Sequence, residues 1–278
     1  MATKKTAAST RKTVKTPAPS VKKSATKVTT VKAAAPAAAR SRSLRFKFSR
    51  APLLSASVAE FIGTFLLAAV VVAASGQPLF VLFAVMAVVL VVGGVSGAHL
   101  NPALTIGALA TKRITLVRAI SYIVAQVLGG LLALVVLNAF VSAAPEVSQE
   151  AQAYGQAPAS LFSAPEIAEG KEWVVLAAEL LGSVILAFGV AAALRNRAGS
   201  VAHALTYGGV LYVAVLLAGT AANYVGASAI LNPAFAGALQ ALSFELWPIL
   251  VFVVTPLVGG VLGFALNDLV QAESEATV

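Results

Sequence analysis

After Arg50 the chain runs as six apolar stretches, at residues 52–75, 79–95, 116–141, 172–194, 202–221 and 247–267, parted by short polar breaks. Each is close to the ~20 residues a helix needs to cross ~30 Å of hydrocarbon. A run such as LFVLFAVMAVVLVV, beginning at Leu79, has no polar face, whereas the outer helices of a water-soluble bundle need one. The six stretches are therefore predicted as transmembrane α-helices. With 59% hydrophobic and 11% charged residues, the composition excludes an ordinary soluble enzyme. The chain has no cysteine and two histidines, so thiolate chemistry and a multi-His metal site are excluded too. No nucleophile, general-base pair or phosphate loop stands out; neither an enzyme nor a cofactor or metal is expected.

Charge divides the chain. Residues 1–50 hold fourteen Lys or Arg and no Asp or Glu, which leaves six basic and eleven acidic residues in the remainder, a net +14 against −5. Rich in Lys, Thr, Ser, Ala and Pro, residues 1–50 cannot bury enough surface to offset ordering entropy and are predicted disordered. Four readings of them stand open: an arm on anionic lipid, an organelle transit peptide, a nucleic-acid-binding arm, or a solvated tail that helps set orientation. Lys112, Arg113 and Arg118 lie between spans two and three, and Arg195 and Arg197 between four and five. If the spans alternate, these and the basic tail share one side, which predicts cytoplasmic N- and C-termini in a cell membrane. The opposite side receives the Gly76-Gln77-Pro78 turn and an acidic loop at 142–171. The predicted organisation is a basic tail at 1–50, a membrane domain at 51–270 (repeat one 51–141, outer loop 142–171, repeat two 172–267) and a short acidic tail at 268–278.

The membrane domain repeats itself. Ala59-Glu60-Phe61-Ile62-Gly63-Thr64 is echoed by Ala178-Glu179-Leu180-Leu181-Gly182-Ser183, and Leu100-Asn101-Pro102-Ala103 by Leu231-Asn232-Pro233-Ala234. Three spans separate the starts of the copies. An odd number makes the repeat inverted, the layout in which a site forms at the midplane between the halves. Asn is a favoured N-cap and Pro a favoured first helical residue, so each motif starts a helix. The helices that follow, at 102–110 and 233–243, are too short to span, and the approaches at 96–100 and 225–231 are Gly, Ala and Ser-rich. Irregular backbone at that depth is tolerated only where it is buried in protein or lines a water-filled path. Two half-helix N-termini would then face each other with roughly +0.5 charge each, repelling cations. A capping Asn spends its carbonyl on helix amides and leaves its NH2 for the lumen, where two such donors can hold a water by its oxygen.

These residues resemble the aquaporin (major intrinsic protein) family over roughly residues 52 to 267. Ser96-Gly97-Ala98-His99-Leu100-Asn101-Pro102-Ala103 is similar to the family's first-half signature, Ala125-Gln126-Val127-Leu128-Gly129-Gly130 to its third-span pattern, and Pro256-Leu257-Val258-Gly259-Gly260 to its sixth. The resemblance implies an all-α membrane protein of six transmembrane helices plus two re-entrant half-helices, with one pore per subunit. It also implies a homotetramer in the lipid bilayer and passive flow of water or small neutral solutes. Asn101, Pro102, Ala103, Asn232, Pro233 and Ala234 would form the pore centre. Glu60 and Glu179 match family carboxylates that accept bonds from the re-entrant backbone. An intramembrane carboxylate is costly wherever it sits, and scaffolding is favoured because a pore-facing anion would concentrate cations.

One departure matters. The family usually places an Arg after the second Asn-Pro-Ala, where this chain has Phe235, and no Lys or Arg follows Arg197. Family spacing gives Val81, Thr220 and Ala229 as the other outer-filter positions, with Phe80 or Phe83 as alternatives to Val81. Phe235 is either a plug that narrows the pore by dewetting or a lipid- or helix-facing side chain beside a wide mouth. His99 either lines the inner vestibule or packs within its loop; His203 either senses pH or is a solvated interfacial residue. Tyr154, Tyr224, Trp173 and Trp247 fit an aromatic belt. The leading function is a passive channel for water and small neutral solutes such as glycerol, urea or ammonia. A secondary transporter, and a non-conducting or gated scaffold whose tail binds anionic lipid or nucleic acid, are the alternatives.

Overall fold

A computed structural model describes residues 52–195 and 199–276; the basic segment 1–50 and Arg197 lie outside the described residues. In chain order the helices are α1 (Pro52–Ala73), α2 (Pro78–Ser96), α3 (Pro102–Ala110), α4 (Leu116–Ser142), α5 (Gln149–Ala153), α6 (Glu172–Arg195), α7 (Ser200–Asn223), α8 (Pro233–Ala238), α9 (Leu246–Ile249) and α10 (Thr255–Ala276). A π-helical turn, Leu250–Val254, joins α9 to α10 into one rod. Among the described residues no strand occurs, and six helices are long and apolar enough to cross a membrane: α1, α2, α4, α6, α7 and the α9–α10 rod. The protein is an integral, multi-pass, all-α membrane protein.

Local chemistry sets the ends. α1 stops where Ser75 and Gly76 turn left-handed (φ 50° and 66°) and the Gly76 N–H reaches back to the Val71 carbonyl at 2.8 Å. Pro78 then opens α2, and Gly97 at φ 90° closes it by donating to the Gly93 carbonyl. The π-turn precedes Pro256, which has no N–H to give; the Thr255 N–H and hydroxyl both go to the Leu250 carbonyl.

The structure corrects one sequence expectation and adds two details. The half-helix expected at 233–243 ends at Ala238, because Gln240 turns left-handed (φ 56°) and the Ala241 N–H closes onto the Ala236 carbonyl at 2.9 Å. α10 runs on through the acidic stretch from 268 as far as Ala276. The outer loop at 142–171 contains a one-turn helix, α5, capped by the Ser148 hydroxyl.

Lipid tails are as apolar as leucine, so packing of small residues rather than hydrophobic exclusion brings such helices together. The inverted repeat uses glycine for this twice over. A Cβ on Gly129 of α4 would meet the Phe61 carbonyl oxygen of α1 at 2.5 Å, and one on Gly263 of α10 would meet the Val184 carbonyl oxygen of α6 at 2.6 Å. The half-helices pack across the repeats: Gly260 of α10 lies against the Ala103 backbone at the head of α3, and Gly130 of α4 lies against the Ala234 backbone at the head of α8. A side chain at Gly130 or Gly260 would collide with those carbonyls. Arg113, just beyond α3, donates to the Ala191 carbonyl of α6 at 2.8 Å, pairs with Asp268 of α10 at 2.6 Å and lies over the Phe264 ring at 4.9 Å. The far end of α3 is thereby tied to both neighbours.

Candidate functional site

Each Asn-Pro-Ala motif starts its half-helix as the residue types require. Asn101 is extended (φ −157°), and its side-chain oxygen accepts the Ala103 N–H at 2.8 Å; Asn232 (φ −143°) accepts that of Ala234 at 3.0 Å. The amide groups then cross between the halves. Asn101 Nδ2 donates to the Leu231 carbonyl and Asn232 Nδ2 to the Leu100 carbonyl, both at 2.9 Å. Each amide thus keeps one N–H uncommitted, not the two expected from capping alone. The acceptor carbonyls are aimed by backbone strain, since Leu100 and Leu231 are left-handed (φ 55° and 58°) without being glycine.

That strain is held by buried carboxyls. Glu60 is fully buried and accepts the His99 N–H at 2.9 Å, the Leu100 N–H at 2.6 Å and Gln126 Nε2 at 2.8 Å. Glu179, equally buried, accepts the N–H groups of Ile230 and Leu231, the latter at 2.9 Å. The first half carries an extra brace: Gln126 also donates to Thr105 Oγ1 at 3.0 Å, and that hydroxyl lies 3.2 Å from His99 Nδ1. His99 is 3% exposed, with its ring edge-on to Tyr122 at 5.4 Å.

From Asn101 and Asn232 a cavity of about 420 Å³ opens toward the side of the Gly76-Gln77-Pro78 turn. Val81, Thr220, Ala229 and Phe235 all line it. Val81 is buried, whereas Phe80 and Phe83 are 61% and 58% exposed, so Val81 is the residue at that register. Phe235 is 6% exposed and forms cavity wall, which removes the lipid-facing alternative. The Thr220 hydroxyl donates to the Leu216 carbonyl at 2.6 Å and offers the cavity only its lone pairs. Among the described lining residues there is no Asp, Glu, Lys, Arg or His.

Several residues here escaped sequence reasoning. Tyr207 lines the cavity and donates to the His99 carbonyl at 2.7 Å, and Tyr122 donates to the Ser96 carbonyl at 2.8 Å. Polar tips inside apolar spans were a signal for both, as for Gln126. Phe162 of the outer loop also lines the cavity, and no pattern in the sequence marked it. His203 is half-buried, its ring facing Tyr207 at 6.4 Å and its Nε2 without a hydrogen-bond partner among the described residues. Trp173 and Trp247 meet edge-to-face at 5.1 Å, and Tyr224, placed in the aromatic belt from sequence, also lines the cavity mouth.

Six spans with two opposed half-helices, meeting over a cavity without charged walls, define a membrane protein of the channel type. The model of the major intrinsic protein family matches residues 47–266, and the chain belongs to that family. It is 34% identical over 221 residues to glycerol uptake facilitator protein-like 6 of Lactiplantibacillus plantarum, covering 74% of this chain and 93% of that one. Aquaporin Z of Photorhabdus laumondii is 30% identical over 241 residues, covering 80% of this chain and all of the relative (100%). Among solved structures, the aquaglyceroporin from Plasmodium falciparum superposes with a TM-score of 0.63 at 18% identity over 81% of this chain and 100% of that one, a likeness of fold.

Proposed function

We propose that the chain is a passive channel for water and small uncharged solutes such as glycerol, urea or ammonia, working as a homotetramer in the cell membrane with both termini cytoplasmic. The coarse reading rests on the family and on relatives whose names are aquaporin and glycerol uptake facilitator. The observation that carries the finer one is the cross-bonded pair Asn101 and Asn232 at the inner end of an uncharged cavity.

The mechanism follows from those groups. An ion moving to the inner end of the cavity gives up part of its hydration and finds no side-chain charge among the described lining residues to replace it, a cost of about several kcal/mol. At the centre each Asn presents one N–H, and the head of α3 adds positive potential, so a cation meets side-chain donors and no side-chain anion. A water there is held by its oxygen and cannot accept a proton and pass it on in the same orientation. α8 has six residues, so the second half contributes fewer aligned peptide dipoles than α3 with nine. Glu60 and Glu179 act as scaffold, holding the re-entrant backbone by hydrogen bonds; neither lines the cavity. Val81, Thr220, Ala229 and Phe235 form an outer filter without fixed charge.

The test is stopped-flow light scattering of proteoliposomes. Water flux above that of empty vesicles, together with flux of at least one uncharged solute, is expected; equality with empty vesicles for water and every solute would sink the reading. Deleting residues 1–45 is expected to leave water flux unchanged, marking the basic segment as an accessory to conduction.

A further inference from the structure

The cavity has two chemically unlike ends. Toward the mouth, Gln77, Asn223, Tyr224 and Ser228 offer hydrogen bonds; at the centre, Asn101 and Asn232 offer one N–H each. Between them the wall is mostly apolar, with the Thr220 lone pairs as an acceptor on it, and one part of it comes from outside the six spans. Phe162, on the outer loop, lines the cavity and reaches the α1–α2 turn, where a Cβ on Gly76 would sit 3.4 Å from its ring. Two residues on, the Ala164 N–H donates to the carbonyl of Leu239 at 2.9 Å, and Leu239 is itself a lining residue beside Phe235 at the end of α8. The loop is thus pinned to repeat two while its phenyl ring closes the wall on the side of repeat one.

Resting on the channel reading above, we propose that Phe162 is a specificity-determining residue, and that Phe162 and Phe235 select uncharged solutes with few hydroxyls per carbon. A solute moving inward must release its water along the apolar stretch. It then recovers hydrogen bonds at the centre from two donors, which suit one or two acceptor oxygens. A molecule with an apolar face and one or two hydroxyls loses little on this path, because its carbons meet phenyl and aliphatic wall. Each further hydroxyl finds few partners on this wall, Thr220 among them, and an apolar site disfavours an added hydroxyl by up to about a hundredfold. With 420 Å³ there is room for some water to accompany the solute, so the discrimination expected for one hydroxyl is roughly tenfold. Short diols are preferred over triols of the same carbon count.

The experiment compares propane-1,2-diol with glycerol, each as the increment over empty vesicles of the same lipid, in the full-length protein. The wild type is expected to give a diol-to-glycerol ratio of roughly ten. F162S is expected to bring the ratio near one, and F162L, which keeps the apolar wall, to retain it. F162S changes a loop side chain, and F235L and F235S give a second pair read in the same way. A wild-type ratio at or below one overturns the proposal. So does a ratio that neither serine variant moves. Water flux with no increment for either solute also overturns it and leaves a water channel standing, whereas absence of water and solute flux overturns the channel reading as well.

Discussion

The buried carboxyls separate a scaffold from a conducting site most sharply, and Glu179 is the cleaner of the two because its partners are two backbone N–H groups of one loop. In E179L both donors stay buried at membrane depth without an acceptor. At about 1–3 kcal/mol for each orphaned group, the loss is about 4 kcal/mol. E179Q keeps one oxygen acceptor and turns an NH2 against the other N–H, a loss of about 2 kcal/mol. For a body of this size a loss of 1 kcal/mol moves the unfolding midpoint by roughly 2–4 °C, so midpoints about 4–8 °C lower for Gln and about 8–16 °C lower for Leu are expected. Intrinsic-fluorescence melting of the purified protein, with scan rate held fixed, reads this out. Water flux per folded molecule should fall in parallel, because the same loop presents Leu231 to Asn101. If Glu179 were instead a pore anion, E179Q would lower cation leak and leave the midpoint alone. Midpoints for both variants within about 1 °C of wild type refute the scaffold argument.

Three further outcomes follow from the same geometry. G260A forces a Cβ onto the Ala103 backbone and is expected to cost about 1–3 kcal/mol, whereas G209A in α7 meets nothing within 4 Å and should raise the melting midpoint through helix propensity worth up to about 1 kcal/mol; equal melting of the two variants would contradict the packing. N101D exchanges a donor for an anion at the head of α3 and breaks the bond to Leu231, so sodium current, negligible in wild type, is expected in bilayer recordings, and its absence counts against Asn101 as the cation barrier. With Phe235 at the position the family usually gives to Arg, a pH-dye assay under a proton gradient is expected to show a wild-type leak that F235R reduces; sealed wild-type vesicles would show that the Asn pair suffices.

The Asn-Pro-Ala pair and the two Glu segments were legible because each is a local chemical statement repeated in a chain otherwise poor in polar residues. A capping amide followed by proline favours a helix start, and a carboxyl in an apolar span must find donors. The length of α8 was not legible: the left-handed turn at Gln240 ends it, and nothing in the run from Pro233 to Ser243 bars a longer helix. Nor was the exchange between halves. Whether Asn101 gives its amide to the lumen or to Leu231 depends on a residue 130 positions away.

Sequence alone therefore determined the number of spans, the repeated motifs and that Phe235 stands where the family usually has Arg, since each rests on periodicity, on near-identical short motifs or on a missing residue type. Tertiary structure decided that Phe235 is buried in the cavity wall, that Val81 rather than Phe80 lines the cavity, and that Phe162 comes to that wall from the outer loop. The physical reason is the same for all three. In an almost uniformly apolar chain, a phenyl or valine side chain is equally compatible with lipid, core and pore, and only packing against specific neighbours breaks the tie.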